Sequence, residues 1–199
     1  TRSDRDWSSD VCSSDLEEIA AFRKQADPPF RILHSLPSMT DRDTYVKSLY
    51  SVYEGCYFTG WPVRFLSERM LAKNDFKGAK IVVVPEAKRV SATTFDALVK
   101  FVEIGGKVLV FGRDALTCDE YGKIVPSREA LLDKFIRKPT SGPIEYDREL
   151  NALLAQMKLA PLVHITNTDG RIPFGVEYRT AKGKDGKMLL YILNLNRTP

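Results

Sequence analysis

The chain has 199 residues, 43% of them apolar and 28% charged, with a formal net charge of +4. This composition suits one or two globular domains and excludes a collagen-like or wholly disordered chain. No apolar run approaches the roughly 18 residues a membrane helix needs, so a helical membrane span is excluded as well.

Residues 1–16 contain five Ser, four Asp and almost nothing to bury, the composition of a disordered arm. The stretch from Asp6 through Trp7 and Cys12 to Leu16 resembles the in-frame translation of a sequencing adapter, and is set aside as an artefact before the fold is considered. Without its two Arg and four Asp the net charge becomes +6. With the natural start of the chain in question, the lack of a signal peptide leaves localisation open. The remainder is long enough to bury about 70% of its unfolded surface in one ordinary core. Only Cys56 and Cys118 are left there. One falls on an apolar helical stripe and the other in a polar loop, a placement that favours neither a disulfide nor a metal cluster.

In chain order, residues 17–25 predict a short helix with Ile19 and Phe22 on one side, ended by Asp27-Pro28-Pro29. Residues 31–35 predict a strand and 36–42 a polar loop. Tyr45, Leu49, Val52, Tyr53, Cys56 and Tyr57 recur at helical spacing and predict a helix over 43–58. Gly60-Trp61-Pro62 breaks it ahead of a strand at 63–67. Lys80-Ile-Val-Val-Val84 is continuously apolar and β-branched, as in a strand covered on both faces. Ser91 can cap a helix whose Phe95, Leu98, Val99 and Val102 form one stripe, closed by Gly105-Gly106 and followed by a strand at 107–111. Helices are expected over 127–136 and 147–159. The pattern then changes to short β segments at 163–166, 174–180 and 188–194, with a turn at Lys182-Gly-Lys184-Asp-Gly-Lys187. The fold class expected is α/β, a doubly wound parallel sheet followed by the start of an antiparallel β domain.

The chemistry is sparse. A phosphate cradle needs its glycines after a strand and before a helix, whereas Gly105-Gly106 stands after a helix and before a strand. The loop after the first strand has Ser and Thr but no Gly, which argues against a flavin phosphate. No cofactor is expected. The elbow after the strand at 107–111 is Gly112-Arg113-Asp114, with Arg113 where a thiol nucleophile would be needed and Cys118 several residues too late. His164 alternates with Val163 and Ile165 and reads as a surface histidine. Glu68, Glu86 and Asp114 follow strands and can border the crevice outside the carboxyl edge of the sheet, either as paired carboxylates or as helix-start and solvated loop charges. Trp61 beside Pro62 is a platform for a sugar or partner chain, or an aromatic that positions its loop. Lys and Arg are scattered, and the Lys182 to Lys187 run has the Gly and Asp of a turn, so no nucleic-acid surface is expected.

One resemblance covers residues 30–160. It rests on Val52-Tyr-Glu-Gly-Cys-Tyr-Phe-Thr-Gly60 with Pro62-Val-Arg-Phe-Leu-Ser-Glu68, on Lys80 to Pro85, on Leu98-Val-Lys-Phe-Val-Glu-Ile-Gly-Gly106 and on Val108-Leu-Val-Phe-Gly112. This succession resembles the glutamine amidotransferase-like trimerisation domain that follows the catalytic barrel in β-galactosidases of glycoside hydrolase family 42. The resemblance implies a domain that has lost the amidotransferase nucleophile, packs subunits together and helps to wall a neighbouring active site. The family's catalytic glutamates lie on the barrel, so no residue here inherits a catalytic role.

The expectation is therefore a non-catalytic accessory or oligomerisation domain of a truncated glycoside hydrolase, forming a homo-oligomer through the α/β domain in the full-length protein, with a carbohydrate substrate belonging to that parent. Residues 17–29 would end an upstream domain or linker, and 161–199 would open a truncated β domain. The alternative is a small-ligand or carbohydrate-binding α/β module whose crevice is bordered by Glu86, Arg113 and Asp114, with Arg113 pairing to an anionic or polar group. A free-standing enzyme is the third and weakest reading.

Overall fold

The computed structural model describes residues 20–22, 27–183 and 186–196. The adapter-like segment and both ends of the expected first helix lie outside the described residues, as do Lys184 and Asp185 of the expected turn.

Five parallel strands form the main sheet: β1 (Phe30–His34), β2 (Phe65–Ser67), β3 (Ile81–Val84), β4 (Lys107–Phe111) and β5 (Ile136–Lys138), in the order β2-β1-β3-β4-β5. The side chains of the three central strands alternate between two cores. Leu33, Val82, Val84, Val108 and Val110 point to one face, while Phe30, Ile32, Ile81, Val83, Leu109 and Phe111 point to the other. Period-2 alternation in which both sets are apolar is what a sheet covered on both sides requires. Each of these side chains is essentially fully buried, contributing roughly 1.5–3 kcal/mol of transfer free energy.

Helices α1 (Lys47–Tyr57), α2 (Glu68–Leu71), α3 (Ala92–Glu103), α4 (Glu129–Leu132) and α5 (Pro143–Gln156) cover the sheet. The helix expected at 43–58 begins as a single π turn over Arg42–Val46, with the Asp41 side chain accepting from the Thr44 N–H. That turn places Tyr45 in the core, where its hydroxyl accepts from the Ser35 N–H at 2.8 Å and donates to the Leu33 carbonyl at 3.2 Å, tying the helix start to the end of β1. Burial pushes the Tyr45 phenol up to about 12. On the opposite face, α1 crosses α5 at Gly55, where an added Cβ would lie 2.7 Å from the Pro143 carbonyl oxygen.

Ser91 caps α3 as expected, accepting from the Thr94 N–H. The helix is followed by Gly105, with φ +94°, and Gly106, where a Cβ would lie 2.4 Å from the Phe101 ring. The bare glycines let the chain reverse directly into β4.

Two expectations are corrected. Residues 127–136 are not one helix: a 3-10 turn (Pro126–Arg128) and the single turn of α4 lead into β5, the fifth strand, through Ile136. Register with Leu109–Phe111 of β4 overrides local pattern there. Residues 163–166 alternate like a strand but form none: among the described residues β6 (Val176–Lys182) pairs only with β7 (Met188–Asn194). His164 is exposed between half-buried Val163 and Ile165.

The β6–β7 hairpin is antiparallel and rests against the end of α1. The Arg179 guanidinium donates to the Tyr57 carbonyl at 3.3 Å and lies 5.0 Å over the Tyr57 ring, while Phe174 meets Phe58 edge to face at 4.7 Å.

Candidate functional site

In a parallel sheet the loops that leave the carboxyl ends of the strands share one edge. With this strand order, the neighbouring connections diverge between β1 and β3, the usual place for a ligand crevice. Here the two loops are stitched together instead. The Ser38 hydroxyl donates to the Arg89 carbonyl at 2.6 Å and accepts from the Arg89 N–H at 3.0 Å, and the Arg89 guanidinium donates to Thr40 Oγ1 at 2.8 Å.

Glu68 sits at this seam as the first residue of α2, after the Ser67 cap. Ser35 Oγ, fully buried, lies 2.8 Å from Glu68 Oε1 and 2.9 Å from the Arg89 carbonyl. A hydroxyl carries one proton. That one proton is shared between the Glu68 carboxylate and the Arg89 carbonyl, which both accept from Ser35 Oγ. Burial raises the Glu68 carboxyl above its ordinary value, and the hydrogen bond from Ser35 opposes that rise.

Glu86 follows β3 and is held from two sides, its backbone N–H donating to Ser48 Oγ at 3.2 Å and its carboxylate accepting from Thr140 Oγ1. Gly112, which follows β4 with φ +94°, faces it directly: a Cβ there would lie 2.6 Å from Glu86 Cγ. The elbow where a nucleophile would stand thus turns away into Arg113, which is exposed, and Asp114, whose carboxylate pairs with Lys88 Nζ at 3.8 Å. Cys118 is buried and free.

Of the residues singled out by sequence, Arg113 and Asp114 share one cavity, of about 410 Å³, at the carboxyl ends of β4 and β5. Lys88, Thr117, Arg128 and Arg137 line it with them. The 112–118 loop that forms its wall passes through a second left-handed residue, Leu116 at φ +67°, costly for a branched side chain. Three things hold it there: full burial of Leu116, its N–H donating to the Ala87 carbonyl at 2.8 Å, and the buried Arg128. That guanidinium donates to the carbonyls of Leu116, Cys118 and Val90 and lies 4.7 Å over the Phe95 ring. Sequence reasoning missed Lys88, Arg128 and Arg137. Arg137 was hidden because the helix expected over 127–136 takes in the first residue of its strand and leaves the other two unassigned.

Trp61 is not brought to this edge. It precedes β2, so it lies at the amino-terminal edge, where the C-terminal ends of α1 and α5 also arrive. Its ring packs against the core on the α5 side, and its indole Nε1 is buried without a hydrogen-bond partner among the described residues. With Pro62, Pro161, Leu162 and the last four residues of β6 it lines a second cavity of about 620 Å³. Among the described residues no three His, Cys, Asp or Glu are grouped as metal ligands, and no helix is long and apolar enough to cross a membrane.

No known family profile matches the chain, and no curated protein sequence matches it. Solved structures do. The apo exo-carrageenase GH42 from Bacteroides ovatus matches 92% of this chain with a TM-score of 0.69 and 24% identity, over 24% of its own length. A catalytic mutant of Gan42B, a GH42 β-galactosidase from G. stearothermophilus, matches 86% with a TM-score of 0.63 and 13% identity, over 35% of its length. The β-galactosidase from Rahnella sp. R3 matches 86% with a TM-score of 0.62 and 14% identity, over 36% of its length. Most of this chain therefore has the fold of a quarter to a third of those chains.

Proposed function

We propose that this chain is a non-catalytic accessory domain of a β-galactosidase-like glycoside hydrolase. Its five-stranded α/β unit joins subunits, and its edge helps to wall an active site borne on another part of the parent protein. One observation carries this reading: the likeness spans 86–92% of this chain but only 24–36% of the enzymes it resembles.

The local chemistry supports it. The elbow after β4 presents Arg113 rather than a nucleophile, and the three strand-end carboxylates are each engaged, Glu68 by Ser35, Glu86 by Thr140 and Asp114 by Lys88. Leu190, Tyr191, Ile192 and Leu193 of β7 are between 39% and 53% exposed, which suits the first strands of a β domain that further chain would cover. The carbohydrate partner belongs to the parent enzyme's site.

The catalytic half of the proposal is tested by hydrolysis. The purified chain, assayed with a chromogenic β-galactoside, is expected to release no chromophore above the buffer rate. Turnover that Glu86→Gln or Glu68→Gln abolishes in a folded protein would overturn it.

A further inference from the structure

We propose that the cavity at the carboxyl ends of β4 and β5 binds a small oxyanion, a sulfate or phosphate group either free or carried on a sugar, between the guanidinium groups of Arg113 and Arg137. The lining holds four cations, Lys88, Arg113, Arg128 and Arg137, against two carboxylates, Asp114 and Glu129. One of those carboxylates is already taken by Lys88. Arg128 is consumed by three backbone carbonyls and sets the wall.

That leaves Arg113 and Arg137 as two adjacent exposed cations with no carboxylate partner among the described residues. They are also tied together. Arg137 donates one N–H to the Arg113 carbonyl, which fixes its side chain beside the loop that carries Arg113. Planar guanidinium forks present paired donors that match two oxygens of a tetrahedral anion. A neutral sugar offers these guanidinium groups no charge to pair with, whereas an anionic group can pair with both. The volume, about 410 Å³, lies in the range of small-molecule sites, and Ile124, Val125 and Leu132 give it an apolar side on which a sugar ring can rest. The site does not depend on the assembly role, and either can fail without the other.

Calorimetric titration of the purified chain at constant ionic strength in chloride tests it, with inorganic sulfate, inorganic phosphate, galactose 6-phosphate and galactose as probes. Saturable binding of the oxyanions is expected, with galactose silent. The Arg113→Ala/Arg137→Ala variant should weaken binding by about tenfold or more, the scale of losing charge-assisted hydrogen bonds. Lys134→Ala, a remote cation paired with Glu103, should leave it unchanged. Tighter binding of galactose 6-phosphate than of phosphate identifies a sugar ester as the ligand, and equal binding identifies the free ion. The proposal is overturned if no oxyanion saturates by about 20 mM, if the double variant, folded by circular dichroism, binds as the parent does, or if galactose binds as tightly as its phosphate.

Discussion

Gly112 and Glu86 occupy one space at the carboxyl edge of the sheet: the Glu86 side chain fills the position a Cβ on Gly112 would need, and the Gly112 backbone stands in the left-handed region. Two separable costs follow for Gly112→Ala, about 1 kcal/mol for the backbone and a further 1–2 kcal/mol, roughly, for displacing Glu86. In urea denaturation, Glu86→Ala should recover the second cost and leave the first. If Gly112→Ala costs the same in both backgrounds, the two side chains do not compete.

Glu68 makes stability depend on pH. Its folded-state carboxyl is raised above the ordinary 4.5 by burial. The folded protein therefore holds this proton more tightly than the unfolded chain does. That contribution is complete below the ordinary value and is lost as pH rises through the raised one. Glu68→Gln removes the titrating carboxyl and keeps an oxygen that can accept from Ser35. It should raise Tm at pH 7 by about 1–2 °C and have no effect near pH 4. A lower Tm at pH 7 would show that the ionised carboxylate is the stabilising form.

Asp147 on α5 obeys the same sign with a larger effect. It is 6% exposed, accepts from Asn151 Nδ2 at 2.9 Å, and is raised by burial from 3.8 to about 6. Stability should fall between pH 4 and 6 as the folded protein gives up this proton. Asp147→Asn should remove that fall and add about 1–3 kcal/mol at pH 7. Cys56 lies in the same field, its thiol pushed up by burial and by Asp147, so it should resist alkylation until the protein unfolds.

Arg128 is the staple of the 112–118 loop. Arg128→Ala removes the donors of three buried carbonyls and the stacking on Phe95, and should cost about 3 kcal/mol or more. Arg128→Lys should recover less than half, because an ammonium cannot span the three acceptors. Hydrogen exchange should quicken first at Leu116 and Cys118. An equal loss across all strands would mean that the arginine serves the core rather than the loop.

The central sheet was legible because its strands are apolar on both faces, and because Ser91 and Gly105-Gly106 mark the ends of a helix between two of them. Ile136-Arg137-Lys138 was illegible for the converse reason: three residues with partly exposed side chains become a strand only through register with β4. Residues 163–166 show the opposite error, a strand pattern without a partner. The candidate site divided along the same line. Arg113 and Asp114 could be placed from the end of β4, whereas Arg137 waited on a strand that pairing alone reveals. Glu68 could be placed too, but the burial that raises its carboxyl and the Ser35 hydroxyl that donates to it are tertiary facts.

Assembly is the claim on which the functional account turns. The direct measurement is the molar mass of the purified chain by light scattering across a gel-filtration peak, from about 1 to 500 μM, a range that reveals association with micromolar dissociation constants. The account predicts a mass that rises with concentration toward a closed oligomer of the 22.5 kDa chain. A constant monomer mass over the whole range would contradict it.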